Sequence, residues 1–197
     1  MKIKAIFVDL GGVLVVNEAR KIKDKYELQH GLQKSVVSKI FRYLQTTDRS
    51  EEEIDKILTK NNIDRGLWDQ YCAELFGSEK KNEGLYTILQ KAQKSGKLVV
   101  YTTNNSEALV SLMEKFEIKN FADLVINSTK FGVTKPEDNF WNISLFEAQK
   151  LRPNLRAFEV LVIDDSEVNY SSALKNGMQA ILYRAGKSDK KLNQILD

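Results

Sequence analysis

Five short apolar runs along the chain read as strands, and segments with helical spacing fill the intervals between them. The first, Ile3-Lys4-Ala5-Ile6-Phe7-Val8, is rich in β-formers and delivers Asp9 to the pair Gly11-Gly12. Lys97 to Tyr101 runs into Thr102-Thr103-Asn104-Asn105, Asp123 to Asn127 is a shorter run, Val160 to Ile163 runs into Asp164-Asp165, and Ala180 to Tyr183 is the last. Between them Leu85, Ile88, Leu89 and Ala92 predict a helix stopped by Gly96, and further helices are expected over Ala108 to Phe116, Glu137 to Lys150 and Val168 to Asn176. Strands alternating with helices require right-handed crossovers, so the expected fold is α/β, with a three-layer Rossmann-like parallel sheet.

One long segment breaks the alternation. From Val16 to Lys81 the pattern is helical throughout: Val36, Val37, Ile40, Phe41 and Leu44 recur at helix spacing, Ser50 to Glu53 form a capping-box signature before Ile54, Ile57 and Leu58, and Leu67 to Phe76 form another amphipathic stretch. The expected organisation is a core made of residues 1–15 and 82–197, with residues 16–81 as a small all-helical cap. A chain of 197 residues buries roughly 70% of its unfolded surface, enough for one substantial core and a smaller satellite.

Charge narrows the function classes. Thirty basic against 27 acidic residues give +3, without the concentrated basic excess of a nucleic-acid binder. No stretch approaches 18 apolar residues and the N-terminal run lacks the apolar centre of a signal peptide, so a cytoplasmic protein away from membranes is expected. The one cysteine, Cys72, allows no internal disulfide and is expected as a buried, inert thiol; the one histidine, His30, beside Gly31, is expected in a turn, which leaves no histidine-based triad or multi-histidine zinc site. Residues 17 to 44 carry seven Lys or Arg against three acids, a pattern that suits either a solvated face or the approach of an anionic substrate.

The candidate chemistry lies at the strand ends. In a parallel α/β sheet the C-terminal ends of the strands converge on one edge, so Asp9, Thr103 and Asp164-Asp165 can share a cleft, with Lys135 reaching in from the loop Gly132-Val133-Thr134-Lys135-Pro136. Adjacent carboxylates repel each other and are best explained by a bound cation, although either Asp would also serve as a helix cap. In their order along the chain, Asp9-Leu10-Gly11, Thr103-Asn104, Lys135-Pro136 and Asp164-Asp165, followed by Asn169, resemble the motifs of the haloacid dehalogenase-like hydrolase superfamily, in its phosphatase branch with a helical cap inserted after the first motif.

The resemblance implies Asp9 as nucleophile and Lys135 as the catalytic cation. It implies Thr103, Asn104 and Lys135 at the phosphate, with Thr102 as the register alternative to Thr103. Mg²⁺ would be held by Asp9, the Gly11 carbonyl, Asp165 and Asp164. The chain departs from the pattern at Gly11, where most phosphatases of the superfamily place a second Asp as general acid and base. The expected function is therefore a slow, Mg²⁺-dependent phosphatase of a small phosphorylated metabolite, sugar phosphates included, in a monomer or homodimer. The alternatives are a non-catalytic phosphate- or metabolite-binding module, for which Gly11 argues, and a haloacid dehalogenase, against which the Asp164-Asp165 pair argues.

Overall fold

A computed structural model of the chain describes residues 2–46, 51–104, 114–118, 121–185 and 188–196. Its centre is a five-stranded parallel sheet in the order β5-β4-β1-β6-β7, built from β1 (Ala5–Asp9), β4 (Leu98–Thr103), β5 (Leu124–Asn127), β6 (Val160–Asp164) and β7 (Gln179–Leu182). The strand that begins the chain thus lies in the middle, hydrogen-bonded to strands far along the sequence. A parallel strand covered on both faces must be apolar at every position. All five residues of β1 are buried.

Alternation along β1 divides the core. Ile6 and Val8 pack on one face against α5 (Glu83–Lys94) and the helix Asp189–Leu196; Ala5 and Phe7 pack on the other against the helix Asp138–Leu151 and against Ala173 of the helix Glu167–Lys175. These two helical layers and the sheet form the three-layer α/β arrangement. Helix α5 starts where Asn82 accepts a hydrogen bond from Leu85 N, and it buries Leu85, Ile88, Leu89 and Ala92; each such aliphatic side chain contributes about 1.5–3 kcal/mol through burial, Ala less.

Helices α1 (Ala19–His30), α2 (Lys34–Thr46), α3 (Glu51–Lys60) and α4 (Arg65–Gly77) surround a separate apolar cluster that includes Ile22, Tyr26, Val37, Ile40, Ile54, Trp68 and Tyr71. Three glutamates, Glu51 to Glu53, occupy the first turn of α3, where the helix dipole favours negative charge. Ser50 of the expected capping box lies outside the described residues, as does most of the expected helix Ala108 to Phe116. Cys72 is partly rather than fully buried, packed against this cluster, and His30 ends α1 just before the left-handed Gly31. The chain passes into and out of these helices along two paired strands that periodicity did not predict: β2 (Val15–Val16) runs antiparallel to β3 (Lys80–Lys81). No helix among the described residues is long and apolar enough to cross a membrane.

Candidate active site

At the C-terminal edge of the sheet, β1 ends on Asp9 and β6 on Asp164, and between them lies the ammonium group of Lys135. Lys135 Nζ is 2.7 Å from Asp9 Oδ1, 3.0 Å from Asp164 Oδ2 and 3.3 Å from the Thr102 carbonyl. The group is almost sealed: Lys135 is 5% exposed, Asp9 8% and Asp164 0%. Burial drives the Asp9 carboxyl up to about 7; Lys135 opposes that rise, and Asp164 and Asp165 reinforce it. Burial pulls Lys135 down, but Asp9 and Asp164 outweigh it and its net shift is upward.

Several contacts hold this constellation. The loop carrying Lys135 is tied back by Thr134, whose amide and hydroxyl both donate to Glu137 Oε1, and by Ser172, whose hydroxyl donates to the Pro136 carbonyl. Asn104, expected at the phosphate, also clamps the backbone of Lys135: Nδ2 donates to the Lys135 carbonyl at 2.9 Å and Oδ1 accepts from its N–H at 2.8 Å. Asn169 Nδ2 donates to both Asp164 oxygens at 3.0 and 3.1 Å, and Ser166 N donates to Asp164 Oδ1 at 2.9 Å. Neither aspartate caps the helix that follows; Ser166 does.

Of the two threonines at the end of β4, Thr102 is fully enclosed and gives its carbonyl to Lys135, whereas Thr103 keeps 3% exposure.

Asp9, Asp164 and Asp165 each offer an oxygen, all within 4.8 Å of one another. Burial, and then the neighbouring Asp164, raise the Asp165 carboxyl as well. Three convergent carboxylates with one ammonium leave excess negative charge, and hard oxygens of this number suit a small divalent cation. The two glycines after β1 have different duties. Gly12 has φ +81°, and a Cβ there would lie 2.4 Å from Asp165 Oδ2, so only glycine lets the loop lie against that carboxylate. Gly11 has open space around it and lies outside the positive-φ set, so its backbone would accept an aspartate.

Sequence reasoning missed the Asn104 clamp and the Arg184 guanidinium, whose Nη1 donates to the Asp165 carbonyl at 2.7 Å. No local pattern marks either one, because each joins segments remote in sequence.

A family model described as haloacid dehalogenase-like hydrolase matches residues 31–183, and the chain belongs to that family. No curated protein matches the sequence. Among solved structures, a HAD family enzyme from Bacteroides thetaiotaomicron, in complex with magnesium and inorganic phosphate, is similar at TM-score 0.71 and 18% identity over 94% of this chain and 96% of that one. A predicted HAD-like family hydrolase from Porphyromonas gingivalis reaches TM-score 0.73 at 17% identity over 100% of this chain and 98% of that one. An L-2-haloacid dehalogenase reaches 0.67 at 10% identity over 100% and 99%. At these identities the likenesses speak for the fold.

Proposed function

We propose that this hydrolase is a Mg²⁺-dependent phosphatase of small phosphorylated metabolites with good leaving groups, acting through Asp9. The observation that carries the reading is the Lys135 ammonium wedged between Asp9 and Asp164, beside a third carboxylate on Asp165. A carboxylate that must approach an anionic phosphoryl group needs positive charge at the same place. Asp9, Asp164, Asp165 and the Gly11 carbonyl fit a Mg²⁺ ion, as the magnesium complex of the Bacteroides relative makes reasonable. Bound there, the ion supplies charge neutralisation for the carboxylates and the phosphoryl oxygens.

The chain's own residues do the rest. An Asp9 oxygen forms a bond to phosphorus as the bond to the leaving oxygen breaks, and the leaving group departs with the electron pair. Water then attacks the phosphorus of the aspartyl-phosphate, releasing inorganic phosphate and restoring Asp9. Lys135 opposes the protonation of Asp9 and orients it, and Thr103 donates to a phosphoryl oxygen. The four helices α1–α4 serve as a cap that limits substrate size. Because residue 11 carries no carboxyl, the leaving oxygen takes its proton from solvent or departs without one, which favours aryl, acyl or otherwise acidic leaving groups.

The test is hydrolysis of an aryl phosphate in Mg²⁺ by wild type and by Asp9→Asn, followed by a panel of phosphorylated metabolites that includes sugar phosphates. Wild-type turnover is expected to need Mg²⁺ and to vanish in Asp9→Asn with the fold intact. Near-wild-type activity in the variant would place the chemistry elsewhere. Gly11 favours a second reading, a module that binds phosphorylated metabolites without turning them over; a wild type that binds phosphate and Mg²⁺ but cleaves no activated ester would select it.

A further inference from the structure

Tyr183 is bonded to both walls of the carboxylate site from behind. It is fully buried just past the end of β7, and its backbone N donates to the Asp164 carbonyl at 2.8 Å. Its own carbonyl accepts from Arg184 Nη1 at 2.9 Å, the same nitrogen that holds the Asp165 carbonyl at 2.7 Å. On the other side its hydroxyl accepts from Asn82 Nδ2 at 2.8 Å and donates to Asp189 Oδ1 at 2.7 Å. Asn82 in turn holds the segment just after Gly12, donating from Nδ2 to the Val13 carbonyl at 3.0 Å and from its backbone N to the Leu14 carbonyl at 2.8 Å.

The two walls so joined meet at Gly12 and Asp165. A single added carbon on Gly12 would stand 2.4 Å from Asp165 Oδ2, so a small drift of the loop changes where that carboxylate can lie. We propose that Tyr183 is a positioning residue whose hydroxyl, through Asn82 and Asp189, sets the Gly12 segment against Asp165 and so fixes the spacing of the oxygens that take the cation. The proposal rests on the Mg²⁺ reading above. A buried tyrosine also needs partners simply to satisfy its hydroxyl, and that role alone would affect stability but not cation affinity.

The experiment titrates Mg²⁺ by its effect on the thermal unfolding midpoint, with steady-state kinetics beside it, for wild type, Tyr183→Phe, Asp189→Ala and Asp189→Asn. Tyr183→Phe is expected to need on the order of tenfold more Mg²⁺, the scale at which outer partners of metal ligands act, with KM for an aryl phosphate unchanged at saturating Mg²⁺. Asp189→Ala should shift the titration in the same direction, whereas Asp189→Asn keeps an oxygen acceptor for the hydroxyl and should titrate like wild type. If Tyr183→Phe does not fold, the contrast between the two Asp189 variants decides alone. Titrations within about twofold of wild type for Tyr183→Phe and Asp189→Ala, even with lowered unfolding midpoints, overturn the proposal, because loss is then confined to stability. A wild type without any Mg²⁺ response overturns the metal reading itself, and this inference with it.

Discussion

Two cations in this molecule each meet three acceptors, and solvent makes them opposites. In the helical region Arg65 reaches Glu51 at 2.5 Å, Asp55 at 2.6 Å and Asp69 at 2.9 Å, with its side chain 41% exposed. At the sheet edge Lys135 reaches Asp9, Asp164 and the Thr102 carbonyl with its side chain 2% exposed. Water and salt screen the first group, so its geometry says little about energy. The second has exchanged hydration for one another's charge, and each member depends on the rest. The same division runs through the other ion pairs of α1–α4, such as Lys25 with Glu74 and Lys34 with Asp24 and Glu27, all at the surface. Chemistry is to be sought where the charges are dry.

The comparison breaks first, and furthest, at Lys135. Lys135→Met keeps the volume but strands two buried carboxylates; metal-free protein should lose about 3–5 kcal/mol in denaturant titration. Phosphatase turnover should fall by roughly 10²–10³ or more, as when a preorganised electrostatic group is removed. Next come the glycines. Gly11→Asp meets no backbone or packing obstacle and should raise turnover of alkyl phosphates most, by up to about 10²–10⁴ if the new carboxyl acts as acid and base. Gly12→Ala should cost about 1–3 kcal/mol in left-handed strain and weaken Mg²⁺ binding through the clash with Asp165, a contrast visible in paired thermal and Mg²⁺ titrations.

A pH series sharpens the difference further. The folded-state pKa of Asp9 is raised, from 3.8 to about 7, so the folded state holds that proton more tightly than the unfolded one. Its contribution is fully present below about pH 4 and fades as pH climbs toward 7. In chelator, the stability difference between wild type and Asp9→Asn should shift against wild type over that interval, and Mg²⁺ should reverse the trend by holding the carboxylate ionised. Unfolding midpoints that track each other at every pH would show that Asp9 titrates normally. The smallest effect belongs to the surface: Arg65→Ala should cost no more than about 1 kcal/mol, diminishing with salt, and leave turnover untouched.

The strands were legible because parallel strands buried on both faces must be unbroken apolar runs, and their polar ends mark one edge; their order in the sheet came only from the structure. Asp9, Lys135, Asp164 and Asp165 were readable from that rule and from the family resemblance, and the structure brings them together. What escaped were contacts between distant segments. The family resemblance implied Asn104 at the phosphate, but no sequence pattern showed that its side chain also bonds the backbone of Lys135, 31 residues away. Gly11 and Gly12 look alike in sequence, and only the approach of Asp165 tells which one is obligatory. The ribbon β2–β3 is too short for any periodicity to register.

That ribbon bears on how the chain folds. The central strand β1 must find β4, pairing Ala5 with Leu98, before the sheet can grow. Val15 pairs with Lys81, so the helical insertion leaves and returns at one point. If α1–α4 collapse around their own cluster first, the search that joins β1 to β4 has to close only the short segment before β2 and the stretch through α5. Shortening the flexible span about fourfold, two doublings at about 0.6 kcal/mol each, removes about 1.2 kcal/mol of closure entropy from the barrier. The insertion that widens the sequence gap would then cost the nucleus almost nothing in speed.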